Sequence, residues 1–313
     1  MNKCLISPWG FVGDHLFASG VAKKLKEEKQ FDIVDMACGL RQVEPLLNNN
    51  PYIDNVITTV NPSIAPLRGL HLDGWDKQFE LNETLKTIPP PLQFQMECGI
   101  KNPDTKFEVY TDPKIDEQVK AITKNEPYIA CMEVNSWREK AYGFTLKEYL
   151  RAQDVPNLGY GGRLRNIQYI VGELSKHIKV VEVGVSPTDR SINISHNLSK
   201  GVDNFRSLLW DASLIKGAKY FIGAEGGLAN VAAGVRTKTI LTGEFLHQLY
   251  GYKGVCAQIE NPQLGPRFYY PGDGHIDLNP YYTDEEVLEE MLKIINGETT
   301  TEDYTYEWTV QEI

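Results

Sequence analysis

The chain has 313 residues, of which 42% are hydrophobic and 24% are charged, a composition typical of a soluble globular protein. Its formal net charge of −10 excludes the strongly basic character that favours tight, non-specific binding to duplex DNA. No apolar run approaches the roughly 18 residues of a membrane helix, so no membrane span is predicted. The length predicts two domains of roughly 150 residues each.

Cysteines and histidines are scattered along the chain. The five cysteines are odd in number and include no Cys-x-x-Cys pair, and the six histidines include no pair at ligand spacing. These patterns predict neither a disulfide framework nor a metal site. Pro8, Gly10 and Asp14 interrupt the apolar N-terminal run, which argues against a signal peptide, so a cytoplasmic protein is expected.

The N-terminal segment has the pattern of a strand, a turn and a helix. Residues 4–7 form a short apolar run typical of a strand, and the glycine-containing residues 8–13 predict a turn. Helical spacing of apolar residues begins at Asp14, which is therefore expected at or beside the helix N-cap. Two interpretations of Asp14 stay open. It is a capping residue, or it is a general base, because ligand clefts in α/β sheets open at strand carboxyl ends.

Two strands are predicted next, at Phe31–Met36 and Val56–Val60. Asn61 to Pro91 is then the least regular stretch, because prolines and glycines interrupt any long element. A loop of that length inside a compact domain is usually functional or mobile, so His71 and Trp75 are candidate ligand contacts. The alternative is a solvated loop with Trp75 packed into the core.

The first domain is predicted to end between residues 112 and 126. Phe107–Tyr110 has the character of a strand, and Asp112–Asn125 that of a charged helix or linker. An apolar strand then restarts at Tyr128–Met132. We therefore predict one domain over residues 1–120 and a second over residues 121–313, which includes a C-terminal helix and tail.

A basic loop follows the strand that opens the second domain. Arg138 and Lys140 in this loop carry charges suited to neutralising a diphosphate. The alternative is a solvated charge cluster that pairs with Glu139.

The stretch from Trp210 to Val235 predicts a helix, a short buried strand at Tyr220–Ile222, a glycine-rich turn and a helix of small residues. A strand that runs through glycines into a helix presents backbone N–H groups and the positive helix end to an anion. Gly226 and Gly227 allow a phosphate to approach the main chain closely. The segment indicates a diphosphate pocket, and an ordinary strand-to-helix turn is the alternative.

Three motifs, in order, resemble the heptosyltransferase family (glycosyltransferase family nine). They are Gly13-Asp14-His15-Leu16 at the start of the first helix, the run Asn48–Ile57, and the turn Gly223–Leu228. Their order and approximate spacing hold from residue 1 to about residue 245. The resemblance implies an α/β fold of two Rossmann-like domains facing across a cleft, the GT-B arrangement, with an N-terminal acceptor domain and a C-terminal donor domain. It also implies inverting transfer from a nucleotide-diphosphate sugar, without a required metal or other cofactor.

One position departs from the family pattern. Where the family usually has His in its donor turn, three residues after Gly, this chain has Asn230. An amide is a neutral donor and acceptor that carries no positive charge. The resemblance therefore does not imply an imidazole beside the donor phosphates of this chain, and it does not imply that heptose is the transferred sugar.

Together, the motifs and the resemblance predict a site shared by the two domains. Asp14 is the predicted catalytic base, and no metal ligand is predicted. The residues expected to bind the donor and its phosphates are Gly13, Arg138, Lys140, Glu225, Gly226, Gly227, Leu228 and Asn230. The residues expected to contact the acceptor are His15, His71 and Trp75.

The leading functional hypothesis is a glycosyltransferase that acts on a glycan, a lipopolysaccharide-type acceptor or another hydroxyl-bearing acceptor. Three alternatives stay open. They are a nucleotide-sugar epimerase or hydrolase of related fold, a transferase acting on a modified nucleobase, and a catalytically inactive protein that binds sugar nucleotides. A dehydrogenase is disfavoured, because Gly10-Phe11-Val12-Gly13 lacks the third glycine of a dinucleotide-binding turn.

Overall fold

The computed structural model describes most of the N-terminal part of the chain and several separate ranges of the C-terminal part. The described ranges are 1–10, 12–58, 74–82, 90–132, 167–184, 208–223, 226–241, 275–277 and 283–298.

The N-terminal part contains four strands and three helices among its described residues. The strands are β1 (Lys3–Pro8), β2 (Ile33–Cys38), β3 (Asn55–Thr58) and β4 (Lys77–Leu81), and the helices are α1 (Val12–Glu27), α2 (Glu44–Asn48) and α3 (Pro90–Glu97). The strands form one sheet in the order β3-β2-β1-β4, and all its pairs are parallel. Their carboxyl ends therefore lie at one edge of the sheet, the edge where α/β proteins bind ligands.

The C-terminal part forms a second, separate sheet. Its strands are β5 (Tyr128–Cys131), β6 (Lys179–Glu182), β7 (Tyr220–Gly223), β8 (Thr239–Leu241) and β9 (His275–Asp277). Its helices are α4 (Pro113–Thr123), α5 (Ile167–Leu174), α6 (Leu208–Gly217), α7 (Gly227–Gly234) and α8 (Asp284–Asn296). The strand order is β6-β5-β7-β8-β9, again with parallel pairs. Two separate parallel sheets confirm the predicted α/β organisation.

The central strands of both sheets are buried on both faces, as expected for parallel sheets covered by helices. Strand β1 is buried from Cys4 to Pro8, and β5 and β7 are buried throughout. One hydrophobic core continues from the first sheet through Phe107 and Val109 to the second sheet. A smaller core lies on the other face of the second sheet and includes residues of α5 and α8.

The segment that joins the two sheets corrects one prediction. Residues 107–110 alternate between buried and half-buried, but within the described ranges they belong to no strand. Phe107 packs on Gly20 of α1, and the Val109 N–H donates a hydrogen bond to the Gly234 carbonyl of α7 at 3.0 Å. The predicted strand is wrong because these alternating apolar side chains are buried between helices and not within a sheet.

Strand β4 lies inside the stretch that the sequence predicts to be least regular. It pairs with β1 from Cys4 opposite Lys77 to Pro8 opposite Leu81. As the edge strand of its sheet it is polar and only partly buried, which explains the weak sequence signal.

Helix α4 packs with the second sheet. The Lys216 ammonium of α6 lies 2.8 Å from the Asp116 carboxylate of α4, and the Tyr128 hydroxyl of β5 donates to the Leu214 carbonyl of α6. Helix α4 falls within residues 112–126, where the sequence predicts the domain split. The finer boundary at residues 120 and 121 stays a prediction.

Candidate functional site

The turn after β1 places a carboxylate at the carboxyl edge of the first sheet. The Trp9 N–H donates to the Leu81 carbonyl at 2.8 Å, so the chain leaves the sheet beside β4. Gly10 has a φ of 112°, a conformation that side-chain-bearing residues rarely adopt. A Cβ at Gly10 would lie 2.3 Å from Asp14 Oδ2, so the carboxylate lies directly over this glycine.

Asp14 belongs to the first turn of α1. The helix begins at Val12, so Asp14 is inside it and not at the N-cap. An acidic side chain in the first turn interacts favourably with the positive end of the helix dipole. Asp14 is half-buried, which leaves part of the residue accessible at the sheet edge.

The second turn lies between β7 and α7. Gly226 precedes the helix with a φ of 154° and a ψ of −168°, backbone angles that only glycine adopts readily. The Asn230 N–H donates to the Gly226 carbonyl at 3.1 Å, which starts the helical hydrogen-bond pattern. The N–H groups of the first turn precede that bond, so no carbonyl within the helix accepts from them. Leu228 packs towards the end of β6, since a Cβ at Gly184 would lie 2.9 Å from its Cδ1.

The two turns meet because the first turns of α1 and α7 are in contact. A Cβ at Gly227 would lie 2.8 Å from the Cβ of Val12. A Cβ at Gly13 would lie 2.4 Å from the Nδ2 of Asn230. The structure therefore brings the predicted residue Gly13 of the first domain against Asn230 of the second, and the predicted base Asp14 follows Gly13 in the same helical turn.

The meeting point has a definite electrostatic character. Two helix N-termini lie side by side, and each contributes partial positive charge and backbone N–H groups. A phosphate or other anion at such a position is stabilised by both helices. Asp14 adds one carboxylate, the group type that accepts a proton during acid–base chemistry. The arrangement suits a reaction in which an anion leaves and a proton is removed nearby.

His15 and Trp75 are predicted acceptor contacts that the structure places elsewhere. His15 is buried, with 2% of its surface exposed, so it does not line an open surface beside Asp14. Trp75 precedes β4 and lies at the amino end of the first sheet, whereas Asp14 follows the carboxyl end of β1. The structure does not bring Trp75 to Asp14, and this separation favours the alternative of a structural tryptophan.

The partner of Trp75 is a buried carboxylate that the sequence analysis missed. The Trp75 indole Nε1 donates to Asp35 Oδ2 at 2.8 Å, and the Asn55 amide donates to Asp35 Oδ1 at 2.7 Å. The Lys3 ammonium lies 3.0 Å from Oδ2. Asp35 is 1% exposed, and a buried charge is tolerated only with such partners. An acidic residue inside the apolar run of β2 is the sequence signal that could have indicated a buried, partnered carboxylate.

The remaining predicted residues are His71, Arg138, Lys140 and Glu225, and all four lie outside the described residues. Their predicted roles stay predictions. Within the described ranges, no cluster of three or more His, Cys, Asp or Glu residues is arranged to hold a metal ion. No helix in those ranges has the length and apolar character needed to cross a membrane.

Solved structures of low sequence identity resemble this chain in fold. No protein-family model and no curated protein matches the chain. The glycosyl transferase family 9 structure from Veillonella parvula is 12% identical, with a TM-score of 0.54 over 97% of this chain and 95% of that one. The E. coli ADP-heptose lps heptosyltransferase II is 12% identical, with a TM-score of 0.49 over 95% of this chain and 99% of that one. The E. coli heptosyltransferase WaaC with ADP-2-deoxy-2-fluoro heptose is 10% identical, with a TM-score of 0.49, and the match covers 95% of this chain and 100% of that one.

At such low identity, the likeness to the Veillonella parvula structure bears on the fold alone. The match extends over nearly the whole of both chains, so it includes both sheets. Together with the two parallel sheets, it confirms that the chain has two Rossmann-like α/β domains in the GT-B arrangement, and that the resemblance predicted from the sequence holds for the fold.

Proposed function

We propose that the chain is a glycosyltransferase that moves a sugar from a nucleotide-diphosphate sugar to an acceptor hydroxyl. The observation that carries this proposal is the contact between the first turns of α1 and α7. It places Gly227 and Asn230 of one domain against Val12 and Gly13 of the other, and Asp14 follows Gly13 in the same helical turn. A transferase needs a base and an anion-binding turn together, because it must remove a proton from one substrate and receive an anionic leaving group from the other.

The donor side of the proposal rests on the start of α7. The diphosphate lies against the N–H groups of Gly227 and Leu228 and approaches from the side of Gly226, which carries no side chain, because Val12 covers the other side of Gly227. The partial positive charge of the helix end stabilises the negative charge that develops as the diphosphate leaves. Arg138 and Lys140 are proposed as further phosphate contacts on the basis of sequence.

The acceptor side rests on Asp14. The acceptor oxygen forms a bond to the anomeric carbon as the bond from that carbon to the diphosphate oxygen breaks. The electron pair of the broken bond leaves with the nucleoside diphosphate, and the hydroxyl proton passes to the Asp14 carboxylate. We propose that the sugar binds with its anomeric carbon between Asp14 and the diphosphate, so that the acceptor attacks opposite the leaving group and the anomeric configuration is inverted.

We also propose that the transfer requires no metal and that the protein acts in the cytoplasm. Backbone N–H groups and two helix dipoles take the charge-stabilising role in it. The acceptor is a glycan or another hydroxyl-bearing molecule.

A donor panel tests the proposal directly. The full chain is incubated with ADP-, UDP-, GDP- and CDP-linked sugars, first in a thermal-shift screen and then with candidate acceptors. A ligand at 100 times its dissociation constant stabilises a protein by about 2.7 kcal/mol, which a thermal shift detects easily. Product analysis then separates transfer from epimerisation and from hydrolysis. Binding of a nucleotide sugar without any turnover would replace the proposal by the binding-only alternative.

Two further measurements test the finer claims. The anomeric configuration of the product, read by proton NMR, should be opposite to that of the donor. Turnover should also persist in the presence of excess EDTA. Retention of the donor configuration, or loss of turnover that added divalent metal restores, would overturn the corresponding claim.

A further inference from the structure

The Asn230 side chain crosses from one domain to the other. Its Nδ2 lies 2.4 Å, and its Cγ 3.4 Å, from the position that a Cβ at Gly13 would take. The residue is 7% exposed, so it is buried in this contact. The amide of α7 therefore rests on the α carbon that directly precedes Asp14.

The contact has a reciprocal counterpart one turn away. Val12 of α1 rests on Gly227 of α7, where a Cβ would lie 2.8 Å from the Val12 Cβ. At each contact a side chain of one helix meets a glycine of the other. The spacing between the two helix starts is therefore set by the size of Val12 and of Asn230, because each glycine offers only backbone.

We propose that Asn230 is a positioning residue for the transfer reaction. It sets the distance between the first turn of α1, which carries Asp14, and the first turn of α7, which holds the donor diphosphate. This inference rests on the proposed function, and it replaces the donor contact that the sequence predicts for Asn230. A displacement of about 1 Å between reacting groups can cost about 10²-fold in rate, so the fit of one buried side chain at this contact matters.

The departure from the family pattern follows from this role. An imidazole is larger than an amide and reaches further from the backbone. At position 230 it would overlap Gly13 unless α1 and α7 moved apart. Asn230→His therefore restores the residue that the family usually has, and it should nevertheless lower the activity of this chain.

The test combines substitutions on both sides of the contact. Asn230→His and Gly13→Ala both add atoms to the contact, and each should lower kcat while leaving the KM for the nucleotide sugar within about threefold. For Asn230→His the expected loss in kcat is about 10²-fold. The double variant Gly13→Ala/Asn230→Ala removes the overlap, and it should recover most of the kcat that Gly13→Ala alone loses.

Gly20→Ala is the matched control on the same helix. A Cβ at Gly20 would lie 2.8 Å from the Cβ of Phe107, so this variant also crowds α1, but away from Asn230. Adding Asn230→Ala should rescue Gly13→Ala and should not rescue Gly20→Ala. Thermal unfolding of every variant checks that the chain remains folded.

Hydrogen exchange gives a second readout that needs no donor. The amides of residues 12–16 should exchange faster in Asn230→His than in the parent, and the double variant should return them towards the parental rate. A kcat for Asn230→His equal to or above the parental value would overturn the inference. So would a loss of kcat in the double variant equal to the product of the losses in Gly13→Ala and Asn230→Ala. Absence of turnover in the parent protein with every donor would instead overturn the proposed function, and unchanged exchange would still refute the positional contact.

Discussion

The contact between α1 and α7 differs at its two ends. The cleft end consists of Val12, Gly13, Gly227 and Asn230, where the two helices touch directly across glycines. At the linker end, Phe107 and Val109 of the connecting segment lie between the helices. There, a Cβ at Gly20 would meet Phe107 at 2.8 Å, and a Cβ at Gly234 would meet Val109 at 2.4 Å.

The linker end also carries ion pairs among its described residues. The Lys23 ammonium lies 2.9 Å from the Glu108 carboxylate, and the Lys24 ammonium lies 2.8 Å from that of Asp104. A cavity of about 160 Å³ lies beside these pairs, along the second half of α1 and away from Asp14. At the linker end, the buried Phe107 and Val109 join the two helices, and ion pairs bind their segment to α1. The cleft end instead carries Asp14, the proposed base, in the helical turn that contacts α7.

The largest effect is expected from the same substitution made at the two ends. Asp14→Asn keeps the size of the side chain but removes the proposed base, so turnover should fall by about 10²–10⁴-fold while the thermal midpoint changes little. Asp104→Asn makes the identical change in the ion pair with Lys24 and should leave turnover near the parental value. Steady-state assays and thermal unfolding of both variants measure this difference. More than about a tenth of parental turnover in Asp14→Asn would assign Asp14 a structural role.

The next effect is on stability and belongs to the linker end. Phe107 is 2% exposed and packs edge-to-face on Phe17, with ring centroids 5.2 Å apart. Phe107→Ala should reduce the free energy of unfolding by about 3–5 kcal/mol, because it leaves a cavity between the two helices. Urea denaturation measures the change. A loss below about 0.5 kcal/mol, the range of surface substitutions, would mean that the domains do not depend on this wedge.

Sequence alone predicts the cleft end better than the linker end. Glycine-rich turns between apolar strands and helices are local patterns, so the turns at Gly13 and Gly226 are found without knowledge of tertiary contacts. Residues 107–110 show the limit of such patterns. Their alternation is equally consistent with a strand and with an extended segment buried between helices, and only the tertiary partners Gly20 and Gly234 decide.

Sequence patterns also fail to predict which tertiary partner a side chain contacts. Trp75 in an irregular stretch is compatible with an acceptor contact or with the core, and the deciding group, Asp35, lies 40 residues away in sequence. For Asn230 the sequence indicates the right place in the fold but not the direction of the side chain. That direction depends on how the two domains dock, which no local pattern contains.

Trp75 and Asp14 lie at opposite ends of the strands of the first sheet, Trp75 at the amino ends and Asp14 at the carboxyl ends. Trp75→Phe removes the indole donor to Asp35, so a buried carboxylate loses one of its hydrogen bonds. We expect a loss of about 1.5–3 kcal/mol in the free energy of unfolding, the usual contribution of a hydrogen bond to a charged group. Urea denaturation and acceptor kinetics together decide its role. A raised KM for the acceptor without loss of stability would restore the acceptor contact predicted from the sequence.

A smaller effect is expected on how the stability of the protein changes with pH, and it comes from the Glu108 carboxyl at the linker end. Burial raises the pKa of the Glu108 carboxyl, but hydrogen bonds from Tyr110 and Lys23 outweigh it, so the pKa lies below its ordinary value of 4.5. A carboxyl with a lowered folded pKa stabilises the protein above the unfolded pKa, and this stabilisation is lost as pH falls through the folded pKa.

Glu108→Gln should therefore flatten the acid side of the stability profile, so that its thermal midpoint falls less than the parental one between about pH 5 and pH 3. Glu117→Gln is the matched control, because the Glu117 side chain pairs with Lys120 but is 71% exposed. Exposed pairs contribute little to stability, so this variant should keep the parental slope. Equal slopes in the parent and in Glu108→Gln would mean that the ion pair between Lys23 and Glu108 contributes nothing to the stability of the linker end.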